Sequence, residues 1–528
     1  MDQVAPSPTL GWIRIHPRVD PAQAREPPME KETIAWIVFS VYLVGTAGLA
    51  LRGMMKTKDL EGFALGKRDM GPAMVGVALA AAIASSATFI INPGFVYHFG
   101  VSALLHYGVA ASMGVSVGLI VMSKGFRRHG QATRALTLPH WIGARYQSPG
   151  LRTYFAILNL LLAITFVVLI IKGSAGVMQE TLGLSYTASV TVIVAFVFSY
   201  ILIGGTYAHV YTNMLQGLMM ILVAAVLIGS GFHLLGDGVG AFGDQLAAQD
   251  PKLLDAFRPD SGLFTSGWDV LICPFIIGFA LVCQPHILTK SLYLKTDRDV
   301  NRYLLVSVLV GTIFAAILVV GLWARATLGS GVAPDQVVAN YIHVAFSDGV
   351  AIFIAVALLA AGMSTLDGIL VGASAIAGND LFLGALGDKL MRGVPQVERE
   401  RRALAASRWV LVAMGVISFL IALDPPYLVG LFGQMGIYGL VTASLAPLVL
   451  GIFVKEINKY DATAAAVVGP LVHFAHYGTV TWINGAFINP SVTATEGIVA
   501  SFIVLGGLTL LRRRHKGRQL AVEPATGE

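Results

Sequence analysis

The sequence predicts an all-α membrane protein with about thirteen transmembrane helices. Of its 528 residues, 55% are apolar and 12% are charged, whereas charged residues make up about a quarter of an average soluble domain. The mean hydropathy is +0.72, and the 58 glycines suit membrane helices, in which Gly is more frequent than in soluble ones. Most of the chain is therefore expected to lie in a lipid bilayer.

Each span needs about 20 apolar residues to cross a hydrocarbon core roughly 30 Å thick. Thirteen stretches meet this criterion, and we number them span 1 to span 13: 33–52, 72–97, 100–123, 153–177, 185–204, 211–235, 267–289, 303–328, 349–378, 408–424, 427–454, 461–480 and 493–511. Residues 33–70 hold span 1 and a loop, and residues 455–511 hold spans 12 and 13.

The two ends of the chain predict tails. Residues 1–32 are polar and Pro-rich without an apolar core, which indicates a disordered tail and not a secretory signal peptide. Whether residues 1–28 are translated stays open, because Met29 directly precedes the first apolar run. Residues 512–528 are basic and polar and are expected to form a cytoplasmic tail.

Lys and Arg residues collect on one side of the predicted membrane. With the N-terminus outside, most of the 36 fall in the loops after spans 1, 3, 7, 9 and 11 or in the C-terminal tail, including Lys290 after span 7. Because short positive loops stay cytoplasmic, the sequence predicts an outside N-terminus and a cytoplasmic C-terminus in the cell (plasma or inner) membrane. The basic residues form no single patch, which argues against nucleic acid as a partner.

Span 9 carries hydroxyl groups in an otherwise apolar run. Ala361, Ser364 and Thr365 are spaced i, i+3 and i+4, so they share one helical face. Two neutral hydroxyls and a carbonyl suit a weakly held monovalent cation, whereas Ca²⁺ sites recruit several carboxylates. An isolated Ser or Thr can instead bond back to its own helix, so a cation site needs oxygens from another helix.

Spans 2 and 7 both contain interruptions. Span 2 has the Ala- and Ser-rich segment 80–88 before Asn92-Pro93-Gly94, and span 7 has Pro274 and Gly278 at its centre before Gln284-Pro285-His286. Freed carbonyls at membrane depth are tolerated only where they line a cavity or bind something; a tightly packed Ala-rich helix is the alternative for span 2.

These interrupted spans open two blocks of five, residues 71–235 and 267–454. Interrupted segments at matching positions in two halves point to an inverted-repeat transporter with its site at the midplane. The coupling ion and a small solute are then the expected ligands.

Six motifs follow one another along the chain: FALGKRDMGP (63–72), LTLPHWIGARY (136–146), GGTYAHVYTNMLQG (204–217), QPHIL (284–288), AAGMSTLDG (360–368) and SLAPLVLGIFVKEINKYDAT (444–463). In this order and spacing they resemble the sodium:solute symporter family over roughly residues 33–511. The resemblance implies a LeuT-type fold of two inverted five-helix repeats plus peripheral helices. It also implies Na⁺-coupled uptake of a small organic solute, with Na⁺ as coupling ion, no organic cofactor and a monomer as functional unit.

The resemblance further implies ligands for one sodium ion between spans 2 and 9. The carbonyl donors fall on Ala81, Ala84 and Ala361, and the hydroxyl donors fall on Ser364 and Thr365. The hydroxyls in the middle of span 9 are therefore expected to be sodium ligands.

The chain departs from the family where some members bind a second sodium. The family's Trp-Thr-Asp reads Tyr211-Thr212-Asn213, and two further hydroxyls are replaced by Asp367 and Gly368. One hypothesis is that Asp367 replaces the missing carboxylate and, near Asn213, holds a second cation or titrates as a proton relay. The alternative is that Asp367 is a structural partner of the backbone or of Asn213.

The solute cavity is expected beside the interrupted spans, with side chains from spans 2, 4 and 7: Ser85, Ser86, Thr88, Lys172, Phe275 and Gln284. Lys172, near the outer end of span 4, either snorkels to the headgroups or faces the bundle. A buried ammonium without a carboxylate partner is costly, so the second case favours a carboxylate-bearing solute such as a monocarboxylate, pantothenate or an amino acid.

Two other transporter-like functions stay open. The first is a proton-coupled symporter on the same fold, in which Asp367 and His286 titrate, although His286 is interpreted as a structural loop residue at the cytoplasmic end of span 7. The second is a sensor module, which the short C-terminal tail disfavours. An enzyme is not indicated, since the sequence shows no metal-ligand cluster and no phosphate-binding loop.

Overall fold

Apolar runs form helices in lipid because their backbone N–H and C=O groups must bond within the segment. The computed structural model describes residues 29–57, 60–66, 70–387, 391–425, 429–486 and 488–522, and it has helices at all thirteen predicted spans. In chain order these are Met29–Met54, Pro72–Ile83 with Ala87–Phe99, Val101–Ala132, Pro149–Leu182, Tyr186–Leu202, Gly205–Leu235, Trp268–Leu281 with Pro285–Tyr293, Asp297–Leu328, Asp348–Leu386, Gln396–Leu423, Val429–Phe453, Lys459–Gly478 and Pro490–Val522.

Further short helices connect these elements. They are Leu60–Leu65, Leu138–Tyr146, Val239–Gln249, Pro251–Leu254, Pro259–Ser261 and Val337–Ala345. Among the described helices, nine are long and apolar enough to cross a membrane, or eleven if each bent pair is one span. Of the helices at the predicted spans, Tyr186–Leu202 is apolar but too short to meet this criterion of length and apolarity, and Lys459–Gly478 does not meet it either.

The two predicted tails are more helical than expected. The first helix begins at Met29, so the end of the predicted tail 1–32 belongs to it, and residues 1–28 lie outside the described residues. The last helix continues to Val522, through most of the predicted tail 512–528. Residues 523–528 lie outside the described part of the chain.

Span 2 breaks where its sequence turns to Ala and Ser. Its two halves, Pro72–Ile83 and Ala87–Phe99, meet at 57°, and Ala84 leaves the helical conformation with φ −81° and ψ 83°. Ser85 Oγ accepts a hydrogen bond of 3.1 Å from the Ala87 amide, which helps the second half begin. The predicted interruption is confirmed.

Span 7 also breaks, not at Pro274 and Gly278 in its predicted centre but at Gln284-Pro285-His286, the run that was expected to end it. Its halves meet at 62°, with Gln284 extended (ψ 141°) before Pro285, because a residue that precedes Pro is driven out of the helical region. Pro274 and Gly278 instead lie within the continuous helix Cys273–Leu281. His286 lies buried in the second half, so its interpretation as a loop residue is wrong.

Span 9 forms the centre of the bundle. In its most apolar stretch 83% of the residues are buried, against 28% in span 1, and it contacts spans 1, 2, 4, 5 and 6. Large apolar side chains such as Val41, Val44 and Leu161 are exposed on the outer helices, as expected for surfaces that face lipid. Side chains of span 9 therefore meet groups from several helices away from lipid.

Candidate functional site

The hydroxyls of span 9 lie against the backbone of span 2 just before its break. Ser364 Oγ is 2.8 Å from the carbonyl oxygen of Ala81 and 2.8 Å from that of Ala361. Thr365 Oγ1 donates to the Ala82 carbonyl at 2.9 Å. Both hydroxyl side chains are fully buried. Four of the five predicted sodium ligands thus meet at one place.

Ala82 is a member of this group that sequence reasoning missed. Ser364 and Thr365 are adjacent in span 9, and the two span 2 carbonyls they reach, Ala81 and Ala82, are adjacent as well. Ala84, the remaining predicted ligand, is the residue at which the first half of span 2 ends; its amide donates to Ala80 at 2.9 Å.

The oxygens of this group are neutral. A hydroxyl has one proton and two acceptor lone pairs, so when its proton turns away, its oxygen and the facing carbonyl oxygens point to a common centre. Because the group contains hydroxyl and carbonyl oxygens and no carboxylate, it suits a monovalent cation better than Ca²⁺. The donor set fits sodium.

Asp367 lies one turn beyond Ser364 and is fully buried. Tyr200 of span 5 donates to one of its carboxylate oxygens, and Thr212 of span 6 donates to the other at 2.9 Å. Asn213 instead donates to the backbone oxygen of Ser364 at 2.9 Å. The hydrogen-bond partners of Asp367 are thus two hydroxyls, of which Tyr200 was not expected from the sequence.

Lys290 was assigned to a cytoplasmic loop, and that assignment is wrong. Its side chain is wholly buried in the second half of span 7, where Nζ donates to the Ala78 carbonyl at 2.9 Å. The same carbonyl lies 3.5 Å from Asn213 Nδ2, next in sequence to Thr212, which donates to Asp367. The predicted span ended at residue 289. The apolar residues that follow, Leu292 to Leu294, are the signal that the buried segment continues.

Two buried hydroxyls beside the break of span 2 have no hydrogen-bond partner among the described residues, those of Ser86 and Ser174. Ser86 Oγ lies 3.2 Å from the point where a Cβ on Gly173 would be, and Ser174 Oγ lies 2.1 Å from that point on Gly362. A buried polar group without a partner costs about 1–3 kcal/mol. This meeting point of spans 2, 4 and 9 is therefore a candidate solute position, and Ser174 is an addition to the predicted set.

Gln284 lies in a second place. Its buried Oε1 has no partner within the described chain. Gln284 lines a cavity of about 320 Å³ together with Asn159, His286, Ala373 and six apolar residues from spans 4, 7, 9 and 11. Ser86 is not among the residues that line this cavity. The predicted solute-binding residues thus separate into two groups.

Lys172 has a carboxylate partner from the protein itself. Its Nζ is 3.5 Å from Asp335 Oδ2, with the side chains 22% and 42% exposed. Asp335 lies in the segment between span 8 and the helix Val337–Ala345. The ammonium therefore does not require a solute carboxylate to neutralise it.

The other predicted solute residues have mainly local contacts. Ser85 accepts from the Ala87 amide, as described above, and Thr88 is half-buried. The carbonyl of Phe275 packs on span 3, only 2.1 Å from where a Cβ on Gly114 would be. The backbone of Phe275 is therefore part of a helix–helix interface.

Comparison with known families decides which kind of protein has this arrangement. A sequence profile described as "Sodium:solute symporter family" matches residues 63–469. The chain belongs to this family. The resemblance inferred from the six motifs is confirmed.

Two relatives of this symporter show how far the similarity extends. The sodium/pantothenate symporter of Escherichia coli (strain K12) is 29% identical over 459 residues, which cover 84% of this chain and 90% of the relative. The sodium/proline symporter of Staphylococcus aureus is 25% identical over 493 residues, covering 89% and 90%.

Solved structures confirm the fold. A Na⁺-coupled sialic acid symporter, 19% identical, superposes with a TM-score of 0.72 over 90% of this chain and 98% of that one. Mhp1, a nucleobase-cation-symport-1 family transporter, is 14% identical and gives a TM-score of 0.50 over 84% and 92%. This symporter has the LeuT-type fold.

The chain is thus a Na⁺-coupled solute symporter, a multi-pass membrane transporter and not an enzyme. Sodium is its coupling ion.

Proposed function

We propose that this symporter moves a small carboxylate-bearing solute into the cell with Na⁺ by alternating access. It works as a monomer in the cell (plasma or inner) membrane, with its N-terminus outside and its C-terminus in the cytoplasm. The observation that carries the sodium site is the approach of Ser364 and Thr365 to the carbonyls of Ala81 and Ala82. The basic loops support the orientation.

In this proposal the ion lies between spans 2 and 9. Its ligands are the carbonyls of Ala81, Ala84 and Ala361 and the hydroxyls of Ser364 and Thr365, with Ala82 beside them. A discontinuous helix frees carbonyls for an ion at the midplane. An ion held by two helices stabilises their contact, which links sodium binding to the arrangement of the bundle.

Three observations support a carboxylate on the solute. The relatives are named for pantothenate and proline, and each of these molecules carries one carboxylate. The second half of span 2 begins at the break with its positive dipole end, which favours an anionic group. The unpartnered hydroxyls of Ser86 and Ser174 offer hydrogen bonds beside that helix end.

In this proposal the remaining predicted solute residues do not bind the solute carboxylate directly. Gln284 and Thr88 would contact the solute as it passes, and Ser85 and Phe275 would shape the breaks through their backbone contacts. Lys172 would act through its ion pair with Asp335 at the outer side. A carboxylate is thus bound by hydroxyls and a helix end in this proposal, not by an ammonium.

Uptake by proteoliposomes that contain the purified protein tests the proposal. Radiolabelled pantothenate and proline are compared with pantothenol and prolinamide, counterparts that lack the carboxylate, with an inward Na⁺ gradient or with choline in its place. We expect accumulation of at least one acid, dependent on Na⁺, and weak competition by its carboxylate-free counterpart.

The same assay identifies the alternatives. Equal competition by the carboxylate-free counterpart would contradict a carboxylate requirement. Accumulation in choline buffer driven by an inward proton gradient would contradict sodium coupling and favour proton coupling through Asp367 and His286. Liposomes with a Ser364→Ala/Thr365→Ala variant are the matched control, because they keep the fold's apolar surfaces and remove both hydroxyls.

A further inference from the structure

Lys290 has an environment that is unusual for a lysine. The side chain is 0% exposed, and its Nζ donates to one carbonyl, that of Ala78. A buried ammonium is strongly destabilising unless it is paired and hydrogen-bonded. Its position therefore depends on a negative charge nearby.

Asp367 supplies that charge. Thr212 donates to its carboxylate at 2.9 Å, and the next residue, Asn213, has its Nδ2 3.5 Å from the Ala78 carbonyl that accepts from Lys290. No direct ion pair joins Lys290 and Asp367, so their attraction acts at longer range. The hydrogen bonds of Asp367, from Tyr200 and Thr212, come from neutral groups. The other titratable neighbours of Lys290, His209 and His286, bring no negative charge. The buried pair is thus neutral overall.

This pair lies one helical turn from the proposed sodium ligands. Ala78 precedes Ala81 by three residues on span 2, and Asp367 follows Ser364 by three residues on span 9. Residues three apart are neighbours along one helix face. The ammonium therefore lies between the same two helices as the proposed ion, one turn nearer the predicted cytoplasmic side.

Hydrogen-bond donors already face the backbone oxygens that lie beside the charges of Lys290 and Asp367. The Ala78 carbonyl accepts from Lys290 at 2.9 Å and lies 3.5 Å from Asn213 Nδ2. Asn213 also donates to the Ser364 carbonyl at 2.9 Å. A metal cation there would compete with an amide and an ammonium, both of which are donors.

We propose that the ammonium of Lys290 acts as a built-in second cation, which neutralises Asp367 and leaves one sodium ion per transport cycle. The inference rests on the sodium site proposed at Ser364 and Thr365. The tethered charge stays with the protein and transfers no energy from the sodium gradient. Its role is to hold span 2, through the Ala78 carbonyl, close to Asp367 of span 9. It does so while the sodium ion one turn away binds and leaves.

Binding of ²²Na⁺ to the purified full-length protein in detergent tests this inference without knowledge of the solute. We expect one ion per wild-type chain at saturation. Lys290→Met frees the carboxylate of Asp367 and is expected to bind two ions per chain. Lys290→Met/Asp367→Asn, which removes both charges, is expected to return to one. Lys295→Met is the matched control, because Lys295 is exposed and its loss should leave one ion bound.

Two results would overturn the inference: two ions bound to the wild-type chain, or one ion bound to a folded Lys290→Met variant. If Lys290→Met does not fold, the double variant Lys290→Met/Asp367→Asn decides, because removing the uncompensated carboxylate should restore folded protein. An equal loss of folded protein in both variants would contradict the pairing. Absence of saturable ²²Na⁺ binding in wild type, or unchanged binding after Ser364→Ala/Thr365→Ala, would instead contradict the sodium site itself.

Discussion

Two adjacent hydroxyls are the residues on which sodium coupling is expected to depend. Removing one with Ser364→Ala or Thr365→Ala deletes a ligand of a charged group, a contact worth about 1.5–3 kcal/mol. Since 1.4 kcal/mol is about tenfold in affinity, we expect the Na⁺ concentration for half-maximal uptake to rise roughly tenfold or more. Uptake measured across a series of Na⁺ concentrations in proteoliposomes checks this.

Conservative and remote variants separate ligation from packing. Thr365→Ser keeps the hydroxyl and is expected to stay within a few-fold of wild type. Ser418→Ala removes a buried hydroxyl from span 10, distant from spans 2 and 9 in sequence, and is expected to leave Na⁺ dependence unchanged. An equal loss of Na⁺ affinity in Ser418→Ala and Ser364→Ala would argue against a specific role for the site.

At the scale of residues, the sequence predicts which side chains share a face of one helix, but it does not predict which residues of different helices come into contact. The i, i+3, i+4 spacing of Ala361, Ser364 and Thr365 predicted one face, and the structure has them together. Lys290 was misplaced because its partner carbonyl is 212 residues away in sequence and because the predicted span ended at residue 289, whereas the helix continues to Tyr293. Spacing cannot show a contact of that kind.

Spans 3 and 7 are joined by an approach that only glycine permits. A Cβ on Gly278 would lie 2.0 Å from the Ala111 carbonyl oxygen, and one on Gly114 would lie 2.1 Å from that of Phe275. Both obstacles are backbone atoms, so the helices themselves must move apart to accommodate a methyl group. The first half of span 7 is therefore held against span 3 by one glycine from each helix.

Gly278→Ala is expected to lower the free energy of unfolding by about 1–3 kcal/mol, the usual cost of overpacking. Thermal denaturation of the detergent-purified protein, followed by tryptophan fluorescence, measures the change. Gly311→Ala in span 8 is the control, since nothing lies within 4 Å of its added Cβ and Ala is the better helix former. A variant at Gly278 that is as stable as the one at Gly311 would contradict the close packing.

At the scale of elements, helices and their interruption were predictable, but the position of one interruption was not. Both Pro274 and Pro285 satisfy the same local rule, that Pro breaks or begins a helix. Pro274 lies where the π-helical turn Trp268–Ile272 passes into the α-helix Cys273–Leu281 without a break, whereas Pro285 follows the break. Gly278 was predicted to be part of the interruption, but it lies in the continuous helix and packs against span 3.

The whole molecule has an ion pair near each end of the bundle, and the two differ in burial. The outer pair, Lys172 with Asp335, is partly exposed, and exposed pairs contribute little. The inner pair joins Arg152 to the fully buried Asp380 at 2.6 Å, and Thr137 donates to the same carboxylate at 2.5 Å. In the proposed orientation, the inner pair is therefore expected to contribute more to stability than the outer pair of Lys172 and Asp335.

A histidine beside the inner pair does not add to its charge. His140 lies in the helix Leu138–Tyr146, and burial, with a smaller contribution from the Arg152 charge, lowers its pKa to about 4. It is neutral at pH 7, where its ring nitrogen lies 3.4 Å from Asn379 Nδ2. The guanidinium of Arg152 is thus the charge that balances Asp380.

Arg152→Met should open the inner end. It leaves the buried carboxylate of Asp380 without its ion-pair partner, which costs about 3–5 kcal/mol for this kind of pair. The variant therefore destabilises the conformation in which the two residues are paired, relative to conformations in which they are apart. The cavity lined by Thr137 and Ala375 should then be open to the predicted cytoplasmic side more often. The transporter would spend more time facing inward.

Alkylation of a single cysteine measures this shift. Ala375→Cys is placed in a chain whose two native cysteines are changed to Ser, and inside-out vesicles are treated with a membrane-impermeant maleimide. Arg152→Met is expected to speed the reaction about tenfold or more, since each 1.4 kcal/mol shifts an equilibrium about tenfold. Arg402→Met, which removes an exposed pair with Glu398, is the control and should leave the rate unchanged. Equal rates in Arg152→Met and Arg402→Met would show that the inner pair does not hold this end closed. If the double variant Arg152→Met/Asp380→Asn reacts slowly again, the uncompensated carboxylate is the cause of the opening.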